Sequence, residues 1–244
     1  MRFYRRLQPF HAISFDLDDT LYSNKPIMLA TEQKMVAYFN NVISDYAVDC
    51  GVDSSSSFDF RFWWPFRQQA IADKPELKHD IGLLRQQSYF LGALSLGMNR
   101  KDAQSFADLA LCYFIEQRSN FTLPQHTHDF LSYLKSKRPL VAITNGNVDT
   151  DRIGIAPYFS HHFHASIEHN LKPAPDMFDK TCLALQITPV QLLHVGDCGS
   201  NDVYGAIDAG CQSAWLNQYQ VGKPLKLLPT LELENIEQLT NILT

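Results

Sequence analysis

The chain has 244 residues, of which 45% are hydrophobic and 19% charged, and its formal net charge is −5. This length suits one large domain or a core with a smaller inserted domain, and the composition is that of a globular protein. The negative charge argues against a nucleic-acid partner bound by counterion release. It also means that local cations must hold any anionic substrate.

Cysteine usage and the start of the chain predict a cytoplasmic location. The five cysteines are dispersed and form no C-x-x-C pair, which is typical of a reduced protein. The basic start, Met1–Arg6, leads into no long apolar stretch, and no run is long enough to span a bilayer. We therefore expect no membrane contact, and no obligate protein partner is evident in the sequence.

The first predicted element is a short buried strand, Ala12–Phe15, followed by a polar cluster of Asp16, Asp18, Asp19 and Thr20. Buried carboxylates repel one another and lose hydration, so such a cluster requires compensation. A divalent cation is the obvious compensator, because hard cations prefer carboxylate and carbonyl oxygens. Side chains alternate along an extended segment, so Asp16 and Asp18 share one side and can act as nucleophile and proton donor. The pattern indicates phosphate chemistry.

Residues 23–121 look almost wholly helical. Apolar spacing predicts helices over Pro26–Ala47 and Ile81–Leu96, and Asn99 with Asp102 forms a capping pair for the next helix. We interpret this stretch as a helical domain inserted into the core.

The helical stretch contains an aromatic segment, Phe58–Phe66. One interpretation is a stacking platform for a flat substrate such as a nucleobase or a flavin. The other is that these rings form the insertion's own small core. The second is favoured, because a minor domain needs large apolar side chains to be stable.

After residue 121 short apolar runs again alternate with helical patterns. Strands are predicted at Leu140–Thr144 and Leu192–Asp197, with weaker candidates at His162–Ser166 and Ser213–Leu216, and a helix at Val203–Ala209. Such alternation is typical of an α/β fold with a doubly wound, mainly parallel sheet. The predicted core comprises residues 1–22 and 122–244, and the predicted insertion comprises residues 23–121.

Three polar groups lie at the carboxyl ends of predicted strands. Asp16, Thr144 and Asp197 each occupy such an end. Ligands of doubly wound sheets bind outside these ends, which lie along one edge of the sheet. We therefore expect the three residues to lie close together.

Four segments, taken in order, resemble the motifs of the haloacid dehalogenase-like hydrolase superfamily. They are Asp16-Leu17-Asp18-Asp19-Thr20, Ile143-Thr144-Asn145-Gly146, Lys172 to Phe178, and Val195-Gly196-Asp197 with Asp202. The resemblance spans roughly residues 10–216, and the helical insertion corresponds to the type-1 cap of that family. It implies a Rossmann-like core and phosphate chemistry that depends on Mg²⁺.

The resemblance implies a role for each acidic residue. Asp16 would attack phosphorus to form an aspartyl-phosphate, and Asp18 would protonate the leaving alkoxide and then deprotonate water. Mg²⁺ would be held by the carboxylates of Asp16 and Asp197 and the backbone carbonyl of Asp18. Asp202 would reach the ion through water or orient Lys172.

The resemblance also implies how phosphate is held. The Thr144 hydroxyl and the backbone amides of Asn145 and Gly146 would bind phosphate oxygens. Lys172 would neutralise charge on Asp16 and on the phosphoryl group.

The residue two positions after the candidate nucleophile distinguishes the reaction types of the superfamily. Members of the superfamily that dehalogenate or cleave phosphonates lack an aspartate two residues after the nucleophile. Asp18 occupies that position here, which favours phosphate-ester hydrolysis or phosphoryl migration. Asp19, where the family often has glycine, is interpreted as a turn or capping residue.

Within the superfamily, the sequence looks most like bacterial phosphatases of flavin mononucleotide (FMN) and of 5-amino-6-(5-phosphoribitylamino)uracil, an intermediate of riboflavin biosynthesis. The segments that carry this likeness are Met1–Arg5, Phe15–Tyr22, Pro124–His128 and Pro139–Asn147. The predicted function is thus hydrolysis of a small phosphorylated metabolite. A phosphomutase and a non-enzymatic binding protein for phosphorylated metabolites stay open as alternatives.

Overall fold

The structure is a computed structural model that describes residues 1–49 and 57–243. The chain divides into two compact units. The core unit comprises Met1–Asn24, Thr122–Gly146 and Thr150–Thr244, and the helical unit comprises Lys25–Phe121 and Asn147–Asp149. That the helical unit acts as a cap stays a prediction.

A seven-stranded sheet organises the core unit over the described residues. Its strands are β1 (Arg2–Phe3), β2 (Ala12–Phe15), β3 (Leu140–Thr144), β4 (His161–His164), β5 (Leu192–Gly196), β6 (Gln212–Leu216) and β7 (Leu231–Leu233). The order is β1-β7-β6-β5-β2-β3-β4, and every neighbouring pair is parallel except β1 with β7. The predicted α/β fold with a mainly parallel, Rossmann-like sheet is confirmed.

The central strands β2, β3 and β5 are buried along their whole length. Parallel strands covered on both faces need such continuous apolar runs. In the register of the sheet, Phe15 lies beside Ala142 on one side and Val195 on the other. The three strands therefore end at one edge of the sheet, and Asp16 and Asp197 follow directly after two of them.

The described helices fall into two groups. The helical unit contains α1 (Asn24–Asp49, whose first residue belongs to the core unit), α2 (Phe60–Asp73), α3 (Ile81–Ser95) and α4 (Arg100–Arg118), and the core unit contains α5 (Gln125–Lys137), α6 (Asp176–Leu185) and α7 (Gly205–Asp208). Short 3-10 helices span Pro75–His79, Ala156–Tyr158, Pro189–Gln191 and Ile236–Ile242. Over the part of the chain described, none of the helices has both the length and the apolar character needed to cross a bilayer.

The boundaries of β2 and β3 are the predicted ones, and those of the other predicted strands differ by one or two residues. β4 spans His161–His164 where His162–Ser166 was predicted, β5 ends before Asp197, and β6 begins before Ser213. β4 ends early because its partner β3 itself ends at Thr144, which pairs with the last residue of β4.

The stretch predicted as one helix, Val203–Ala209, is divided between a π-helical turn and the short helix α7. A π-helical turn, Gly199–Tyr204, precedes α7. The backbone N–H groups of Asp202 and Val203 both donate to the Cys198 carbonyl oxygen, at 2.9 and 3.2 Å. This shared acceptor widens the turn, and wide turns of this kind are frequent at functional sites.

The predicted capping pair at the start of α4 is confirmed. Asn99 Oδ1 accepts hydrogen bonds from the backbone N–H groups of Lys101 and Asp102, both at 3.0 Å. The Asn99 amide donates to the Asp102 carboxylate at 2.7 Å. Two otherwise unpaired donors of the first turn are thereby satisfied.

The aromatic segment of the helical unit supplies part of a hydrophobic core. Trp63 is 7% exposed, its indole N–H donates to the Phe58 carbonyl oxygen at 3.0 Å, and its ring packs against Phe39 at 4.6 Å between centroids. Phe60 and Trp64, by contrast, are 56% and 45% exposed. The packing interpretation therefore holds for Trp63 and Phe58.

Candidate active site

A cavity of about 250 Å³ lies in the core unit at the carboxyl ends of β2, β3 and β5. The structure brings all eight predicted site residues together in its lining: Asp16, Asp18, Thr144, Asn145, Gly146, Lys172, Asp197 and Asp202. Asn201 and Lys223, which follow β5 and β6, also line the cavity and were not predicted.

Lys172 is 1% exposed, and three acceptors hold its ammonium group. Nζ donates to Asp16 Oδ1, to Asp202 Oδ1 and to the carbonyl oxygen of Ile143, each at 2.7 Å. An ammonium group has three N–H bonds, so every donor is used and the position of Nζ is fixed. Burial lowers the pKa of Lys172, but Asp16 and Asp202 outweigh this and raise the pKa above its ordinary value. The side chain therefore stays charged.

Asp16 is the first residue after β2. Its backbone N–H donates to the Val195 carbonyl oxygen at 2.9 Å, which fixes the residue to β5. Burial raises the pKa of the Asp16 carboxyl to about 7; Lys172 opposes this rise and Asp202 adds to it. A carboxylate in this position needs nearby positive charge to stay ionised, and Lys172 supplies part of it.

Asp202 uses both carboxylate oxygens within the protein. Oδ1 accepts from Lys172 at 2.7 Å and lies 3.2 Å from His194 Nε2, and Oδ2 accepts from the Cys198 N–H at 2.9 Å. Burial opposes ionisation, but Lys172 and His194 outweigh it and hold the pKa of Asp202 below its usual range. Of the two roles predicted for Asp202, orienting Lys172 is the one that these contacts match.

Two glycines make room for carboxylates of the site. A Cβ atom on Gly196 would overlap the Asp202 side chain, and one on Gly146 would lie 2.6 Å from Asp18 Oδ2. Only glycine allows so close an approach. The other oxygen of Asp18 accepts a hydrogen bond from the Tyr22 hydroxyl at 2.8 Å. The Asp18 carboxyl therefore packs against Gly146 through one oxygen and is held by the Tyr22 hydroxyl through the other.

The predicted phosphate-binding segment has contacts of its own. The Gly146 N–H donates to the Thr144 hydroxyl oxygen at 2.9 Å, so this amide has an acceptor within the protein. The Asn145 side chain accepts from the Lys172 N–H at 2.7 Å and donates to the Lys172 carbonyl oxygen at 2.9 Å. These two hydrogen bonds of the Asn145 side chain, which no sequence pattern predicted, fix the backbone of Lys172 at the end of β3.

Asp19 serves the backbone of the loop. Its φ is +57°, in the left-handed region. Its Oδ1 accepts from the N–H of Asn24, the first residue of α1, at 2.8 Å. The interpretation of Asp19 as a turn and capping residue is confirmed.

The acidic side chains of the cavity fit a divalent cation. One oxygen from each of Asp16, Asp197 and Asp202 lies within 4.8 Å of the others. Burial, together with the charges of Asp202, Asp16 and Asp19, raises the pKa of Asp197 to about 8. A hard cation such as Mg²⁺ takes carboxylate oxygens and offsets this repulsion. Because both oxygens of Asp202 already accept from the protein, Asp16 and Asp197 are the better candidates for direct ligands.

Sequence reasoning missed two buried polar residues next to the site. Ser14 and His194 are both fully buried and lie opposite each other in the register of β2 and β5. The Ser14 hydroxyl oxygen lies 2.9 Å from His194 Nδ1. The available signal was a polar side chain inside an otherwise apolar, fully buried strand, because such groups are retained only with hydrogen-bond partners.

The helical unit contains a separate cavity of about 510 Å³. Its lining is largely aromatic and apolar, and it includes Phe39, Phe58, Phe60, Trp63, Tyr89 and Phe114 together with Glu32, Asp59, Arg61 and Arg85. The Arg85 guanidinium lies 3.7 Å from the centroid of the Phe114 ring and donates to the Tyr89 hydroxyl at 3.3 Å. The size and lining are those of a small-molecule site.

Comparison with known proteins decides the family. A family model described as haloacid dehalogenase-like hydrolase matches residues 10–210. The chain is also 35% identical, over the full length of both proteins, to the 5-amino-6-(5-phospho-D-ribitylamino)uracil phosphatase YigB of Escherichia coli. The chain belongs to the haloacid dehalogenase-like hydrolases. The resemblance carried by the four motifs is confirmed.

Two further haloacid dehalogenase-like proteins agree with this assignment. The phosphoglycolate phosphatase of Escherichia coli is 32% identical over 91% of this chain and 87% of that protein. The crystal structure of a 2-haloacid dehalogenase from Pseudomonas syringae superposes with a TM-score of 0.85 at 26% identity, covering 96% of this chain and 98% of the other. Both Escherichia coli relatives, which match over most of the chain, are phosphatases, and this family member is a phosphatase.

Proposed function

We propose that the chain is a Mg²⁺-dependent phosphomonoester hydrolase that forms an aspartyl-phosphate on Asp16. The observation that carries the proposal is the 2.7 Å contact of buried Asp16 with Lys172, in the cavity that Asp18 and Asp197 also line. A carboxylate beside a fixed cation, with a second carboxyl nearby, suits phosphoryl transfer in two steps.

The predicted site residues of the cavity share the two steps between them. An Asp16 oxygen attacks phosphorus, the bond from phosphorus to the alkoxide breaks, and Asp18 gives its proton to that alkoxide. Asp18 then takes a proton from water, whose oxygen attacks phosphorus, releases phosphate and restores the Asp16 carboxylate. Lys172 reduces the repulsion between Asp16 and the phosphoryl group throughout. The Thr144 hydroxyl and the backbone N–H of Asn145 would donate to phosphoryl oxygens, and the backbone N–H of Gly146 would do so on leaving the Thr144 hydroxyl.

Mg²⁺ would be held by the carboxylates of Asp16 and Asp197 and by the carbonyl oxygen of Asp18, with Asp202 acting through water or through Lys172. When bound, the cation neutralises phosphoryl charge and favours the ionised form of the carboxylates that hold it. We expect EDTA to abolish turnover and added Mg²⁺ to restore it.

The substrate we propose is a small phosphorylated metabolite, with FMN and 5-amino-6-(5-phosphoribitylamino)uracil as the first candidates. The activity in the name of the Escherichia coli relative supports this choice. The helical unit contains an aromatic-lined cavity of about 510 Å³, whose size and lining suit a flat ring system such as that of a flavin. A cytoplasmic location, with no nucleic-acid or membrane partner, belongs to the same proposal.

Substitution of the nucleophile tests the reaction. Asp16→Asn is expected to lower Mg²⁺-dependent phosphate release from FMN and from p-nitrophenyl phosphate by about 10³-fold or more, because the amide cannot form the aspartyl-phosphate. Asp19→Asn is the matched control, since it removes a neighbouring charge but keeps the turn. Substantial turnover in Asp16→Asn would refute the nucleophile assignment.

The products separate the alternatives. Stoichiometric phosphate release supports the hydrolase, whereas an isomerised sugar phosphate without free phosphate indicates a phosphomutase. No turnover on any member of a broad panel of phosphorylated metabolites with Mg²⁺ would indicate a binding protein. Halide release from a 2-haloacid would contradict the role given to Asp18.

A further inference from the structure

Strand β5 carries a buried histidine that the proposed reaction does not use. His194 is 0% exposed, at a position in a parallel strand where apolar side chains are usual. Both ring nitrogens have partners, because Nδ1 lies 2.9 Å from Ser14 Oγ and Nε2 lies 3.2 Å from Asp202 Oδ1. Burying an imidazole is costly, and an aliphatic residue would pack there without that cost. The hydrogen bonds themselves therefore need an explanation.

The partners assign the tautomer of His194. A carboxylate only accepts hydrogen bonds, so Nε2 carries the proton toward Asp202 and Nδ1 accepts from the Ser14 hydroxyl. The Phe178 ring packs edge-on against the imidazole, with centroids 4.9 Å apart and planes at 89°. Packing and hydrogen bonds together fix the ring as a donor to Asp202.

These contacts continue to the candidate nucleophile. From Asp202 Oδ1 the chain of hydrogen bonds passes to Lys172 Nζ and on to Asp16 Oδ1, at 2.7 Å in each step. The five residues Ser14, His194, Asp202, Lys172 and Asp16 are all buried, with at most 8% exposure. Ser14 and His194 lie opposite each other in the register of β2 and β5. The pairing of these two strands therefore positions the first hydrogen bond of the series.

We propose that His194 is a positioning residue whose Nε2–H holds Asp202 in the orientation that keeps Lys172 against Asp16. The inference rests on the proposed role of Asp16 as nucleophile. Three donors fix the Asp202 carboxylate: Lys172 and His194 at Oδ1 and the Cys198 N–H at Oδ2. Loss of the His194 donor removes one of the three, so the carboxylate can tilt and shift the ammonium group bonded to it. A displacement of about 1 Å at a reacting group can cost about 10²-fold in rate.

Two substitutions at His194 test the proposal. His194→Leu removes both hydrogen bonds and is expected to lower kcat by about 10- to 100-fold with KM within about twofold, because His194 does not touch substrate. His194→Gln can still direct an amide N–H at Asp202 and is expected to recover most of the lost kcat. The control is His162→Leu on β4, expected to leave kcat within about twofold. All values are normalised to protein shown to be folded by circular dichroism.

A third variant keeps the test decisive if His194→Leu does not fold. Ser14→Ala removes the donor to Nδ1 and is expected to lower kcat by about 3- to 10-fold without changing KM. Combined with His194→Leu it adds no further loss, because both changes act through the same contact.

Three results would overturn the positioning role. One is a folded His194→Leu protein with wild-type kcat, another is equal loss of kcat in the Leu and Gln variants, and the third is unchanged kcat in Ser14→Ala. An active Asp16→Asn variant would instead refute the proposed function. An inactive Asp16→Asn with a fully active His194→Leu would refute this inference alone.

Discussion

Asp19 shows how one residue of the site can serve the backbone. Its φ of +57° is in a region that disfavours side chains with a Cβ atom, although Asp tolerates it better than most. Its carboxylate repays part of that cost by accepting from the Asn24 N–H at 2.8 Å. Different substitutions at this position can remove the backbone strain and the hydrogen bond separately.

We predict that Asp19→Ala lowers the free energy of unfolding by about 1–2 kcal/mol, because it keeps the strain and loses the hydrogen bond. Asp19→Gly relieves the strain and is expected to stay within about 1 kcal/mol of wild type. Asp19→Asn retains both features and serves as the control. Urea denaturation measures the three values, and an alanine variant as stable as wild type would contradict the capping role.

Single residues also show where sequence reasoning succeeds. Asp16 and Asp197 directly follow apolar strands, so their spacing alone placed them at one edge of the sheet. His194 and Ser14 lie inside such strands, and their contact depends on β2 and β5 being neighbours. The order of strands is a long-range property that local spacing does not contain, so this pair was missed.

Helix α2 shows the same difference at the level of an element. Adjacent residues of a helix point about 100° apart, so Trp63 and Trp64 lie in different surroundings. Trp63 is 7% exposed, and a Cβ atom on Gly92 of α3 would lie 2.5 Å from its ring. Trp64 is 45% exposed. The aromatic run predicted a core, but only the phase of the helix decides which ring belongs to it.

We predict that Trp63→Ala destabilises the protein by about 3–5 kcal/mol, because it leaves a large cavity among packed rings. Trp64→Ala, the matched control, is expected to cost less than about 1 kcal/mol. Thermal and urea unfolding give both values. Equal effects of the two substitutions would show that the packing interpretation is wrong.

Elements were predicted best where they are long or strongly apolar. The strands β2, β3 and β5 have four or five buried residues each and were found within one residue of their ends. β1 and β7 have two and three residues and leave too short a pattern to recognise. The π-helical turn Gly199–Tyr204 depends on one carbonyl accepting from two N–H groups, which no spacing rule anticipates.

Over the whole molecule, stability and function compete at the acidic cavity. Asp16, Asp197 and Asp202 place three carboxylates within one ion's reach, in a chain of net charge −5. Lys172 offsets part of the repulsion among them, and the remainder opposes folding unless a metal cation is bound. Active sites commonly carry such a cost.

We predict that Asp197→Asn unfolds at a temperature equal to or higher than that of wild type in EDTA at neutral pH. The substitution removes a carboxyl whose ionisation burial and the neighbouring carboxylates oppose in the folded state. With Mg²⁺ at about 100 times its dissociation constant, wild type is expected to gain about 2.7 kcal/mol and the variant much less. Differential scanning calorimetry in EDTA and in MgCl₂ measures both effects. Equal stabilisation of the two proteins by Mg²⁺ would remove Asp197 from the ligand set.

The pairing of Ser14 with His194 joins residues 180 positions apart, and it leads through Asp202 to Lys172. No short stretch of sequence can therefore build a partial catalyst, since distant strands must first meet. Molecules in which β2 and β5 have not paired are therefore expected to have no turnover. The specific activity of a preparation can thus report the fraction of its molecules that are fully folded.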